Sequence, residues 1–147
     1  MTAVLREREP RAAVNLRGLP QRGFPTEPNT WTHVGGQVVL WLGPDEWLAL
    51  GGTEADYLDA AAAVDVSASR IAFELAGADA AGVLAQGCSL DLDAVKPGCC
   101  AQTLLARAPV ILLREAEETW LVLARVSYAN YVRAWLEDAL TSLPASR

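Results

Sequence analysis

The stretch QVVLWLGPDEWLAL, residues 37–50, constrains the fold most. Two apolar runs rich in strand-forming residues flank Gly43, Pro44, Asp45 and Glu46, four residues of turn type. That pattern predicts a β-hairpin. The chain around it has 147 residues, 52% of them hydrophobic and 20% charged. It is long enough to bury a real core and too apolar for disorder.

Downstream, RIAFEL at residues 70–75 alternates cleanly, with Ile71, Phe73 and Leu75 on one face, and predicts a half-buried strand. QTLLA, PVILL and TWLVLA predict three more strands, with Pro109 marking a break between the first two. Thr53-Glu54-Ala55-Asp56 fits a capping box and predicts a short helix to about Ala63, burying Tyr57, Leu58, Ala61 and Ala62. GADAAGVLAQG, residues 77–87, predicts a second helix, with Asp79 at its positive end and Gly87 just past its end. In the last helix Ser127 is the expected N-cap. Tyr128, Tyr131, Val132, Trp135, Leu136, Ala139, Leu140 and Leu143 then recur at steps of three and four. The predicted order, β-β-α-β-α-β-β-β-α, is that of an α+β fold: small antiparallel sheets with interspersed helices.

Residues 1–33 read differently. Pro10, Pro20, Pro25 and Pro28 punctuate them, with Gly18 and Gly23 between. Proline at that density disfavours helix and central strand, so the expectation is an extended N-terminal arm leading into a single α+β domain at 34–147. Phe24 and Trp31 lie in this arm and should pack on the domain or on a partner. Residues 1–32 carry five Arg and three acids; the rest carries seven bases and fifteen acids. A basic arm on an acidic body is compatible with docking on an acidic partner surface, and equally with a solvated tail. The net charge of −6 argues against nucleic acid or an anionic membrane as partner. The N-terminus MTAVLREREP has no apolar signal core, and no run approaches the ~20 apolar residues of a membrane span, so a cytoplasmic protein is expected.

Candidate sites are few. Cys88, Cys99 and Cys100 lack the paired spacing of a zinc site and the C-x-x-C of a redox motif, so packed free thiols are expected. His33 is the only histidine and has no recognisable nucleophile or orienting group beside it. Asp91 and Asp93 lack a cation-binding loop around them and read as a solvated turn. Gly35-Gly36 and Gly51-Gly52 lack the spacing of phosphate loops. Asp45, Glu46 and Trp47 could in principle offer a carboxylate and an aromatic wall to a pterin ring, or else solvate a turn and fill the core. No catalytic, cofactor-binding or metal-binding residue is assigned. Five Trp, three Tyr and two Phe remain, some of them candidate interface anchors.

VNLRG (residues 14–18), PTEPNTW (25–31), LGPDEWL (42–48), VDVS (64–67), QGCSLDL (86–92), GCCAQTLLARAPVILLR (98–114) and SYANYVRAWLEDA (127–139) occur in that order. As an ordered set covering almost the whole chain, they resemble the gamma subunit of bacterial heterotetrameric sarcosine oxidases. The resemblance implies a non-catalytic accessory subunit, with alpha, beta and delta subunits as partners. The complex oxidatively demethylates sarcosine to glycine with O2 and tetrahydrofolate, giving hydrogen peroxide and formaldehyde or 5,10-methylenetetrahydrofolate. It implies flavins (FAD and FMN) on beta, NAD and the folate site on alpha, and zinc on delta, with none bound by this chain. It implies a fold similar to the folate-binding T-protein (aminomethyltransferase), so a stand-alone folate-binding one-carbon module is the alternative, as is a subunit of a related N-methyl amine oxidase. The glycines and cysteines of 87–103 should then be backbone-demanding glycines and packed thiols.

Overall fold

In the computed structural model, residues 3–8 and 12–142 are described. Two compact units emerge. One joins Met1–Glu9 to Arg70–Arg147; the other is Pro10–Ser69.

The second unit is a five-stranded antiparallel sheet. Its strands are β2 (Ala13–Arg17), β3 (Trp31–Val34), β4 (Gln37–Gly43), β5 (Glu46–Leu50) and β6 (Ala62–Asp65), in the order β3-β4-β5-β2-β6. The expected hairpin is β4–β5: Gly43 pairs with Glu46, leaving Pro44-Asp45 as a two-residue turn. Side chains alternate across the sheet, so Val14 and Leu16, Trp47 and Ala49, and Val39 share one face. They pack with Phe24 and Tyr57 into a core. Trp47, 1% exposed, donates its indole N–H to the Pro25 carbonyl at 2.8 Å. The Phe24 ring sits 5.4 Å from that of Trp47 and 6.3 Å from that of Tyr57.

The first unit is a second antiparallel sheet with helices on one face. β1 (Val4–Glu7), β7 (Arg70–Ala76), β8 (Cys100–Leu105), β9 (Ala108–Ala116) and β10 (Thr119–Arg125) run in the order β1-β7-β10-β9-β8. Helices α1 (Ala80–Ala85) and α2 (Ala129–Thr141) pack on Phe73, Leu75, Val110, Leu112, Trp120 and Val122. Val132 and Leu136 of α2 are fully buried, each worth roughly 1.5–3 kcal/mol of apolar burial. Of the expected apolar stripe, Tyr131 stays 42% exposed, and Leu143 lies outside the described residues.

Several expectations need correction. The segment read as an extended arm supplies β1, β2 and most of β3, and β2 is an interior strand. The prolines argued against strands there, yet Pro20, Pro25 and Pro28 all lie in the connection between β2 and β3; Pro10 lies outside the described residues. The single domain at 34–147 is replaced by two units divided near residue 69, with β1 belonging to the C-terminal one. The helix expected to reach Ala63 stops after one 3₁₀ turn, Glu54–Tyr57. Its capping box forms and Tyr57 is buried, but Leu58 is 84% exposed. Ala62 and Ala63 are recruited instead into β6, paired with Arg17 and Leu16, so sheet pairing overrides the helix preference of alanine. Ser127 falls in a 3₁₀ turn, Val126–Tyr128, and α2 starts from Tyr128 without a side-chain cap. The break between β8 and β9 comes at Ala106-Arg107; Pro109 sits inside β9, opposite Leu104.

Candidate functional site

The three cysteines occupy one region of the first unit. Cys88 follows α1 and is buried, with its Sγ 3.9 Å from the Thr103 hydroxyl. Cys100 opens β8 opposite Leu113 and is 3% exposed. Its neighbour Cys99 packs against the helix-covered core instead. Adjacent residues of an extended chain point to opposite faces, so these two thiols cannot converge on one ligand. All three are free. Gly87 is held by space: a Cβ there would lie 2.3 Å from Cζ2 of Trp135. Gly98 is held by conformation, at φ +91° with nothing within 4 Å of a Cβ.

The other sequence candidates do not assemble. His33 is exposed on β3 and stacks edge-on against Trp31, with ring centroids 5.2 Å apart. Asp91 caps a 3₁₀ turn, its Oδ1 accepting the Asp93 N–H at 3.2 Å. Gly35-Gly36 is the tight turn of the β3–β4 hairpin, where Val34 pairs with Gln37. The pterin arrangement of Asp45, Glu46 and Trp47 is corrected. Glu46 accepts the Asn15 amide at 2.9 Å and pairs with Arg17 at 3.4 Å, while Trp47, next in the strand, turns into the core. Asp45 stays in the exposed turn. Carboxylate and aromatic wall face opposite ways. Among the described residues, no three His, Cys, Asp or Glu side chains cluster as a metal set.

What the structure does bring together are ion pairs that sequence spacing does not reveal. Arg8 bridges Glu74 and Glu115, residues 66 and 107 positions away. Its guanidinium reaches Glu74 Oε1 from Nε at 3.1 Å and Glu115 Oε1 from Nη2 at 2.6 Å, with a further contact from Nη2 to Glu74. Burial opposes its charge, but the hydrogen bonds and charges of the two glutamates outweigh burial and raise its pKa. Arg133 of α2 grips Glu7 of β1 at 3.0–3.2 Å and lies over the Phe73 ring. Tyr57 donates its hydroxyl to Gln37; burial, and then the charge of Asp56, raise its pKa. Asp65 is held below the ordinary carboxylate range by hydrogen bonds from the Ser67 hydroxyl, 2.6 Å, and Ser67 N–H, 2.8 Å.

Two shallow pockets open on the first unit. One, about 350 Å³, lies between α1 and the 90–93 loop. The other, about 320 Å³, is lined by Arg70, Gln102, Thr103, Pro109, Val110, Ile111 and Arg125. Neither presents a nucleophile beside a base.

Known proteins supply the context for this geometry. A sequence model of the sarcosine oxidase, gamma subunit family matches residues 26–142. The chain belongs to that family. Sarcosine oxidase subunit gamma of Arthrobacter sp is 41% identical over 72% of this chain and 58% of its own length. The subunits of that name from Corynebacterium sp. strains P-1 and U-96 are 40% and 36% identical, over 74% and 77% of this chain. This gamma-family chain thus spans about 58–60% of the length of the curated relatives it matches. Among solved structures, a chain of the heterotetrameric sarcosine oxidase from Corynebacterium sp. U-96, in complex with pyrrole 2-carboxylate, superposes with a TM-score of 0.86. It covers 99% of this chain and 87% of its own length at 29% identity. The resemblance carried by the ordered motifs and the family match agree.

Proposed function

We propose that this chain is the non-catalytic gamma subunit of a heterotetrameric, flavin-dependent sarcosine oxidase, with alpha, beta and delta subunits as partners. The observation that carries the reading is the superposition of nearly the whole chain on a chain of such an oxidase. Neither of the two described pockets sets a nucleophile beside a base, in keeping with an accessory role. The complex converts sarcosine to glycine by oxidative demethylation, reducing O2 to hydrogen peroxide. The methyl carbon leaves as formaldehyde or, with tetrahydrofolate, as 5,10-methylenetetrahydrofolate. In this reading FAD, FMN, NAD, zinc and the folate site belong to the other subunits. No described glycine pair forms a phosphate loop, and no described cluster offers three metal ligands. The two-sheet architecture, each sheet antiparallel, is in keeping with a T-protein-like fold. No described helix is long and apolar enough to cross a membrane, and the complex is cytoplasmic in this reading.

The test is a tagged pull-down from the native host with an absorption spectrum of the eluate. Larger subunits, a flavin spectrum and sarcosine turnover are expected, with no turnover by the purified chain alone. A colourless, single-component eluate, or turnover by the chain alone, would overturn it.

A further inference from the structure

Strand β1 is held unlike its neighbours in the sheet. It is an edge strand of four residues, with Val4, Arg6 and Glu7 exposed, whereas β9 and β10 are apolar and buried over most of their length. Ala3 and Leu5 reach the core. Beyond these and the backbone ladder to β7, its hold is charge. Alternation sends Leu5 and Glu7 to the helix-covered face. There Arg133 of α2 donates to Glu7 from Nε and Nη2, while its Nη1 is steadied by the Asn130 amide oxygen at 2.8 Å. Arg6 and Arg8 go to the opposite face, where Glu74 of β7 meets both. Glu115 joins them through a bulge. Thr119 pairs with Ala116 and Trp120 with Arg114, so Glu115 is the extra residue of β9, and a bulge re-aims the side chain it carries. The ties gather at residues 6–8, where the chain leaves the first unit.

We propose that β1 is a charge-held strap, which leaves β7 as a unit while the rest of the first unit stays folded. Segments with few buried apolar contacts open at lower free energy than the core. Ion pairs this exposed are screened by salt, so the strap loosens as ionic strength rises. Opening unpairs the backbone of Glu74 and releases its carboxylate and that of Glu115 together. Two carboxylates then stand beside an open strand edge. The strap thus couples local charge to exposure of the β7 edge.

Adjacent amides report the two states. Arg8 donates its N–H to the Ala72 carbonyl at 3.0 Å, so by alternation Arg6 and Glu74 exchange both their bonds across the β1–β7 ladder. The Phe73 N–H therefore points the other way, to β10, where Phe73 pairs with Val122. The experiment is hydrogen exchange on the full chain as it purifies from its host, read residue by residue by mass spectrometry with electron-transfer fragmentation. The Arg6 and Glu74 amides should exchange at least about tenfold faster than Phe73. Because strap opening exposes little surface, ~1 M urea should speed Phe73 and hardly move Glu74. Raising salt from ~0.05 to ~0.5 M should speed Glu74 about fivefold. Arg8→Gln should speed it about fivefold at low salt and remove most of the salt response. The contrast in urea between Glu74 and Phe73 also shows that the variant is otherwise folded. Equal rates and equal urea dependence for Glu74 and Phe73 would mean that β1 leaves only on global unfolding, which overturns the proposal. Faster exchange of Glu74 that ignores both salt and Arg8→Gln also overturns it, since the edge then frays without help from charge. Either result leaves the accessory-subunit reading standing.

Discussion

At the scale of single residues, two positions make sharp demands. Gly87 lies where α1 hands over to the cysteine loop, under the indole of Trp135. Its backbone also works: its N–H reaches the Leu84 carbonyl at 3.1 Å and its carbonyl takes the Ala106 N–H at 2.7 Å. Gly87→Ala must push Trp135 out of contact or shift that backbone, and overpacking of this kind costs roughly 1–3 kcal/mol. A lower urea midpoint with unchanged slope is expected; an unchanged midpoint would mean Trp135 moves freely. Asp65 gives the second case. Its carboxylate is stabilised by Ser67, whose hydroxyl also accepts the Ala13 N–H at 2.9 Å and so ties the two ends of the second unit. Because the folded pKa lies below the unfolded one, this stabilisation is present above the unfolded value. It is lost as pH falls through the folded pKa. Ser67→Ala removes the hydroxyl bond but keeps the residue-67 N–H, so the Asp65 titration, followed by carbon-detected NMR, should rise part of the way toward the ordinary carboxylate range. An unmoved midpoint would assign the depression to another group.

At the scale of elements, what was legible in the sequence had a period or a turn code. The β4–β5 hairpin, β7 to β10 and α2 all carried one, and each is present. β1, β2 and β6 did not: VLRE and AAVD are short, and AVNLR sat among prolines of which Pro20, Pro25 and Pro28 lie in the following connection. Residues 60–63 are four consecutive alanines, so only the long-range partner β2 decides for strand. The Arg8 bridge was equally invisible, since its partners are adjacent only once β1 pairs with β7. These three side chains are about one-fifth exposed, so Arg8→Gln should cost about 1 kcal/mol after solvent screening, and less at ~1 M salt. Denaturation at two salt concentrations measures it, and a loss independent of salt would make the contact one of packing. The docking role imagined for residues 1–33 is correspondingly recast. Their removal takes out an interior strand, so it should unfold the second unit rather than merely loosen assembly.

At the scale of the whole molecule, the surface tells against a solitary life. Isolated apolar residues on a surface are ordinary. Leu19 and Leu58 are not isolated. They are 85% and 84% exposed, and the segments carrying them are drawn together by the Ala61 N–H to Arg17 carbonyl bond at 2.9 Å. Gly18 lies so close to Ala61 there that a Cβ would come within 2.9 Å of the alanine methyl. Val64, 53% exposed, lies on the edge strand β6, where Glu54 Oε1 accepts the Asp65 N–H at 2.9 Å. On the accessory-subunit reading, the chain made alone should therefore self-associate through this edge. Replacing Leu19 and Leu58 together by serine removes no core contact, so the melting temperature should hold while the soluble yield of the lone chain rises several-fold. Ultracentrifugation of both chains at equal concentration reads the outcome. If wild type sediments as a clean monomer, the edge is already protected. A double variant that still aggregates would move the liability elsewhere on the surface, with Leu104 and Val126 the next side chains to replace.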